Sequence, residues 1–123
     1  MPPMYEVFHF ELHVDNPERA MKFYGNSFGW RFTRREEPGY WHIATGPQDV
    51  RGADGELVPR LVPDCSVVPV ISVGSIDECL RKVTELGGEI LRRITSPGAG
   101  YLAHCRDTEG NIFAVLEYDD AAA

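Results

Sequence analysis

The chain has 123 residues, which suits one compact domain because roughly 100 to 200 residues make a domain. Its 43% hydrophobic and 25% charged residues are typical of a globular protein and exclude a disordered or collagen-like chain. Nineteen acidic against twelve basic residues give a net charge of -7, which would repel phosphate backbones and anionic membranes. From the length we expect a single domain over residues 1–123. From the charge we expect neither nucleic acid nor membrane as its partner.

The first predicted strand covers residues 5–14 and alternates in character. Because successive side chains of a strand point to opposite faces, its apolar residues share one face and should pack under a helix. The other face carries three polar side chains: His9, Glu11 and His13. We expect this polar face to hold a ligand. An alternative for Glu11 and His13 is that they are solvated residues at a sheet edge.

A capped helix with a glycine stop follows this strand, and the same arrangement recurs 59 residues later. Asn16 can cap the first helix, with Pro17 at the first helical position, where a missing N–H costs nothing. Ser75 begins a capping box for the second helix. Gly29 and the pair Gly87-Gly88 are expected to end the two helices.

Strand patterns complete both halves of the chain. They cover residues 30–35, 40–45 and 56–62 after the first helix, residues 67–73 before the second helix, and residues 89–94, 101–106 and 112–118 after it. Each half is therefore β-α-β-β-β, with half-modules at about residues 5–62 and 66–119, and the fold class is α+β. The charged run from Arg31 to Glu37 is mixed in sign and is interpreted as a solvated strand end.

The three cysteines, Cys65, Cys79 and Cys105, are an odd number without a C-x-x-C pair. This excludes a disulfide framework and a zinc knuckle. No segment approaches the ~20 apolar residues of a membrane span, and the acidic N-terminal region does not fit a signal peptide. We therefore expect a reduced, cytoplasmic protein.

Several segments together resemble the vicinal oxygen chelate superfamily, which contains glyoxalase I, extradiol dioxygenases and the fosfomycin- and bleomycin-resistance proteins. The matching segments are His9-Phe10-Glu11, residues 15–20, Phe23-Tyr24, Phe28-Gly29-Trp30, Tyr40-Trp41, residues 73–77, Leu86-Gly87-Gly88 and residues 106–113. They cover nearly the whole chain. They are most similar to the glyoxalase-related enzymes of unassigned substrate.

The resemblance implies two tandem β-α-β-β-β modules that form a cupped mixed sheet, and a homodimer. In metal-dependent relatives the cup holds one divalent ion, and the ligand positions of that ion match His9 and Glu56. The other two ligand positions fall at Val68 and Ala114, which cannot bind a metal. His104 lies at a cup-facing position, and either His104 or Glu11 would complete the ligand set; a substrate contact is the other role open to His104.

Two classes of function remain open at this stage. The first is a glyoxalase-related enzyme, a lyase, isomerase or dioxygenase-like protein, that acts on a small organic compound with Glu56 and His104 as catalytic groups. The second is a metal-free protein that sequesters a small molecule, as bleomycin-resistance proteins do; an inactive subunit or ligand-sensing module is a further alternative. The residues expected to line the cup are Glu11, Tyr40, His42, Tyr101 and Ala114.

Overall fold

The computed structural model describes residues 5–47, 52–96 and 98–122. The predicted domain also includes residues 1–4, 48–51, 97 and 123, which lie outside these ranges. In chain order the elements are β1 (Val7–Val14), α1 (Pro17–Phe28), β2 (Arg31–Arg34), β3 (Trp41–Ala44), β4 (Gly55–Pro59), β5 (Val67–Ser72), α2 (Ile76–Glu85), β6 (Glu89–Ser96), β7 (Gly100–Arg106) and β8 (Ile112–Tyr118). This order confirms the predicted α+β class with two β-α-β-β-β modules. Across the described ranges, neither helix has the length and apolar character that a membrane crossing requires.

The chain divides into two compact units. The first unit is His9–Val68 and contains the strand order β2-β3-β4-β1. In this order β1 and β4 are parallel, whereas β3 is antiparallel to both β2 and β4. The second unit is Pro69–Ala123 together with the N-terminal residues up to Phe8, and its strand order is β5-β8-β7-β6.

Local sequence signals explain where α1 begins and ends. The Asn16 side chain accepts the backbone N–H of Arg19 at 3.0 Å, and Pro17 is the first helical residue. Gly29 ends the helix with φ of 73°, a left-handed conformation that glycine adopts without steric cost. The predicted helix signals of this unit are therefore confirmed.

The core of the His9–Val68 unit lies between α1 and its sheet. Leu12, Ile43 and Leu57 are buried there, and burying a side chain of this size contributes about 1.5–3 kcal/mol. The partly buried residues around them are Phe10, Val14, Ala20, Met21, Tyr24, Trp30, Phe32 and Trp41. The apolar face of β1 thus packs under the helix, as its alternation predicted.

In the second unit, α2 packs on its own sheet. The Ser75 hydroxyl accepts the backbone N–H of Glu78 at 3.2 Å, which confirms the predicted helix start. The Glu117 carboxylate accepts the N–H of Ile76 at 2.8 Å and satisfies a further donor of the first turn. The buried core residues are Val73, Ile76, Leu80, Ala103, Cys105 and Val115.

Most predicted strands agree with the observed ones to within two residues, and the largest difference is at the end of β4. We predicted a strand through residue 62, but β4 ends at Pro59. The backbone N–H of Arg60 still donates to the Val14 carbonyl at 3.1 Å, whereas the N–H of Leu61 donates to the His13 ring at 3.3 Å. The chain leaves the sheet here because its next donor has a side-chain partner.

Candidate active site

The polar face of the His9–Val68 unit is the sheet surface opposite α1. In the strand register, Glu11 lies beside Glu56, and Glu56 lies beside His42. The residues that alternate with them, including Leu57 and Ile43, are in the core under α1. Since neighbours in register share a face, Glu11, Glu56 and His42 form one row across β1, β4 and β3.

Glu11 and His13 form a buried pair on this face. Their exposed fractions are 4% and 2%, and the His13 Nε2 lies 2.8 Å from the Glu11 Oε1. The backbone N–H of Leu61 donates to the His13 Nδ1, so the Nε2 carries the proton and donates to the carboxylate. Both side chains are thus buried and paired, and the alternative of solvated edge residues is wrong.

Glu56 is half-buried and forms an ion pair with Arg35. The Arg35 Nε lies 2.5 Å from the Glu56 Oε2, and the exposed fraction of the Glu56 side chain is 24%. Burial raises the pKa of the Glu56 carboxyl above its usual value, while the Arg35 guanidinium opposes that rise. A carboxylate with these neighbours is a stronger base than a solvated one and remains accessible to a small molecule.

His9 and His42 add two imidazoles to the same face. Burial lowers the pKa of His9, the Glu11 carboxylate acts against that shift, and His42 and Arg35 reinforce it. His9 is therefore neutral at neutral pH and can accept a proton. The His42 Nε2 lies 3.5 Å from the Asp54 Oδ2.

The remaining predicted site residues have the following positions. Tyr40 is half-buried just before β3, and its carbonyl accepts the backbone N–H of Arg35 at 2.9 Å. In the other unit, His104 is fully buried on β7 with its Nδ1 3.4 Å from the Arg92 Nε. Tyr101 and Ala114 also belong to that unit, on β7 and β8. The His9–Val68 unit therefore brings together His9, Glu11, His42 and Glu56. The functional roles of these residues, like those of Tyr101, His104 and Ala114, stay predictions.

Two residues of the polar face were missed by sequence reasoning. Arg35 was interpreted as part of a solvated charged run, and Asp54 received no role. The structure places Arg35 on this face because Thr33 lies beside His42 in the register of β2 and β3, and Arg35 is on the same face as Thr33 by alternation. The sequence carried no signal for either residue, since the place of Arg35 depends on that register and the place of Asp54 depends on where β4 begins.

Comparisons with known proteins agree with this architecture. A family model described as Glyoxalase/Bleomycin resistance protein/Dioxygenase superfamily matches residues 6–115. A glyoxylase-like domain-containing protein of Didymella fabae is 28% identical over 115 residues, which cover 85% of this chain and 88% of that protein.

Two solved structures have a similar fold. A methylmalonyl-CoA epimerase gives a TM-score of 0.61 at 16% identity and covers 94% of this chain and 97% of that one. The Mn(II)-bound glyoxalase of Novosphingobium aromaticivorans gives a TM-score of 0.63 at 17% identity, covering 100% of this chain and 42% of that one. Identities this low support the shared fold alone.

Proposed function

Because the chain belongs to the Glyoxalase/Bleomycin resistance protein/Dioxygenase superfamily, we propose that it is a glyoxalase-related enzyme that transfers a proton beside the carbonyl group of a small organic compound. The observation that carries this proposal is the position of Glu56, a half-buried carboxylate in one row with Glu11 and His42. An epimerase and a glyoxalase share the fold of this chain. We assign Glu56 the role of general base.

The chemistry follows from the surroundings of Glu56. The ionised carboxylate removes a proton from the carbon next to the carbonyl, the electron pair of the broken C–H bond forms a C=C bond, and the carbonyl π pair moves onto the oxygen. Return of a proton to the opposite side of the same carbon, or to a neighbouring carbon, completes an isomerisation. Neutral His9, which faces the same row, is suited to accept or relay a proton.

A divalent ion is the cofactor that the family implies. The buried carboxylate and imidazole side chains among the described residues are those of Glu11, His13 and His104, and all three are oxygen or nitrogen donors of the kind that Mn²⁺, Fe²⁺, Ni²⁺ and Zn²⁺ accept. Within the His9–Val68 unit, an ion held by Glu11 and His13 would replace the proton that the His13 Nε2 donates to the Glu11 carboxylate, whereas an ion held by Glu56 would have to displace Arg35. When bound, the ion would polarise a substrate oxygen.

The sequence-based assignment of His9 and Glu56 as metal ligands, and of His104 as a further ligand or catalytic group, is kept as a proposal for testing. Metal analysis of protein purified without chelator, followed by titration with Mn²⁺, Ni²⁺ and Zn²⁺, measures binding directly. If Glu11 and His13 hold the ion, Glu11→Gln abolishes binding and Glu56→Gln preserves it. The opposite result would restore the sequence-based assignment.

Hydrogen–deuterium exchange at substrate carbon tests the proton transfer. The protein is incubated in D₂O with a panel of 2-oxoaldehyde–thiol adducts, 2-oxo acids and acyl thioesters, and exchange beside the carbonyl is followed by NMR. We expect Glu56→Gln to lower the exchange rate by about 10²–10⁴-fold, the usual contribution of a general base. Glu36→Gln, an exposed glutamate following β2, is the matched control. An undiminished rate in Glu56→Gln would show that Glu56 is not the base.

A second candidate function is metal-free binding of a small molecule, as proposed for the bleomycin-resistance type. It is favoured by Val68 and Ala114, which are apolar, fully buried and located where the resemblance places metal ligands. In that case compounds of the panel would bind by calorimetry without exchange, and a chelator would leave their affinity unchanged. Lack of both binding and exchange would favour the alternative of an inactive subunit.

The assembly and location of the protein are further proposals. We propose a homodimer, which light scattering of the purified protein would detect as twice the 13.8 kDa mass of one chain. The cytoplasmic location predicted from the unpaired cysteines is tested by cell fractionation.

A further inference from the structure

We propose that Arg35 is a second catalytic residue, which binds the carbonyl oxygen of the substrate and stabilises the negative charge that develops there when Glu56 removes the proton. This inference rests on the proposed function, because it assigns a partner to the same proton transfer. It adds one requirement to the proposed substrate class, namely that the carbonyl oxygen can reach Arg35 while the neighbouring C–H bond reaches Glu56.

The backbone of Arg35 is held in the sheet, and the end of its side chain is exposed to solvent. Its N–H donates to the Tyr40 carbonyl at 2.9 Å, which continues the pairing of β2 and β3 beyond Arg34. The side chain is 48% exposed, so its guanidinium is accessible to a small molecule while its stem is anchored to the sheet.

The guanidinium of Arg35 has N–H donors beyond the one that contacts Glu56. Its Nε group contacts the Glu56 Oε2 at 2.5 Å. Within residues 5–47, 52–96 and 98–122, its two terminal Nη groups have no hydrogen bond or ion pair of their own. An arginine has five N–H donors in a rigid planar fork. The unoccupied donors are therefore held next to the carboxylate that we assign as the base.

Stability alone does not account for this ion pair. Arg35 is half exposed, and ion pairs that involve solvent-exposed groups contribute little to stability. The electrostatic influence of Arg35 is larger within the site, since it acts on both Glu56 and His9. Arg35 thus contributes a permanent positive charge to a face that also carries the carboxylates of Glu11 and Asp54.

The proposed step balances in atoms and electrons. The C–H bond breaks, its proton forms an O–H bond with the Glu56 carboxylate, and the carbon–hydrogen electron pair becomes the new C=C bond as the carbonyl π pair moves to oxygen. The resulting oxyanion accepts N–H hydrogen bonds from Arg35. Donors held in place where charge develops contribute about 10²–10³-fold to a rate.

The test uses Arg35→Ala, with Arg34→Ala as its matched control. Arg34 is the preceding residue, is also exposed, and lies on the opposite face of β2 by alternation. Deuterium exchange of a responsive compound is measured from pH 4 to 9, with and without chelator. We expect Arg35→Ala to lower the plateau rate by about 10²–10³-fold, added methylguanidinium to restore part of it, and Arg34→Ala to stay near the wild-type rate. Arg35→Lys, which keeps the charge, should lose less.

Each outcome has a separate meaning. Arg35 lowers the pKa of Glu56, so a residue that only tunes Glu56 would, when removed, shift the acid limb of the pH profile to higher pH and leave the plateau intact. That result would overturn the inference while exchange that depends on Glu56 upheld the proposed function. If the wild-type protein exchanges none of the compounds, the proposed function falls, and the catalytic role of Arg35 falls with it. Thermal melts by circular dichroism establish that each variant is folded.

Discussion

Gly55 is the residue whose replacement tests the strand pairing beneath the site most directly. It begins β4, next to Glu56, and lies beside Phe10 in the register with β1. A Cβ at this position would lie 2.7 Å from both the Cζ and the backbone oxygen of Phe10, whereas ordinary van der Waals contacts begin at 3.4 Å. The two strands would have to separate by about 0.7 Å, the difference between these distances, because a backbone carbonyl cannot rotate away as a side chain can.

We expect Gly55→Ala to lower the free energy of unfolding by about 1–3 kcal/mol, the usual cost of overpacking. With an unfolding entropy of about 2.1 cal/mol/K per residue, or ~0.26 kcal/mol/K for this chain, the Tm should fall by about 4–12 °C. Urea unfolding and calorimetry measure the two quantities. The displaced β4 would also move Glu56, so deuterium exchange should fall more than tenfold.

Gly46→Ala is the control for this prediction. An added Cβ at Gly46 meets nothing within 4 Å, so its stability should stay within about 0.5 kcal/mol of the wild type. If Gly55→Ala also stays within that range, the close approach of β4 to Phe10 does not exist, and the placement of Glu56 beside Glu11 loses its support.

Three further predictions concern the titratable groups. Glu11→Ala leaves the buried His13 Nε2 without its carboxylate partner and should cost about 1–3 kcal/mol in urea unfolding; an unchanged midpoint would contradict the pair. The pKa of His9 lies below its unfolded value of 6.5, so its contribution to stability is present above pH 6.5 and is lost as pH falls through the lowered pKa. His9→Gln should therefore lose less stability than the wild type between pH 7 and 5, as followed by Tm. Burial raises the pKa of the Cys105 thiol to about 11, so this thiol should resist Ellman's reagent at pH 8 in the folded protein and react in denaturant, and rapid labelling of Cys105 would refute its burial.

The helices could be predicted from sequence because their signals are local. Asn16 with Pro17, and Ser75 with Glu78, satisfy the first turn of each helix through contacts three residues apart. The end of β4 could not be predicted in the same way. It depends on the His13 ring, which accepts the Leu61 N–H across a separation of 48 residues, and no periodic pattern records such a pairing.

In the candidate site, too, the features set by local sequence could be predicted, and those set by strand pairing could not. Alternation placed His9 and Glu11 on the polar face before any pairing was known. The row that joins Glu11 to Glu56 depends on register, and a slip of one residue would turn Glu56 into the core. Arg35 was missed because a mixed run of charges is usually solvated, and only the ion pair with Glu56 distinguishes it from its neighbours.

The register places two carboxylates, those of Glu11 and Glu56, side by side on adjacent strands. Because they are like charges, each raises the cost of ionising the other. Each carboxylate has its own partner. Glu11 accepts from His13 and is buried, whereas Glu56 faces the half-exposed Arg35 and is accessible. Two carboxylates in different environments take different roles. The buried pair of Glu11 and His13 suits a structural or metal-ligating role. Burial and Glu11 raise the pKa of Glu56. Glu56 is also the accessible carboxylate of the two, so it is the one that can remove a proton from a substrate.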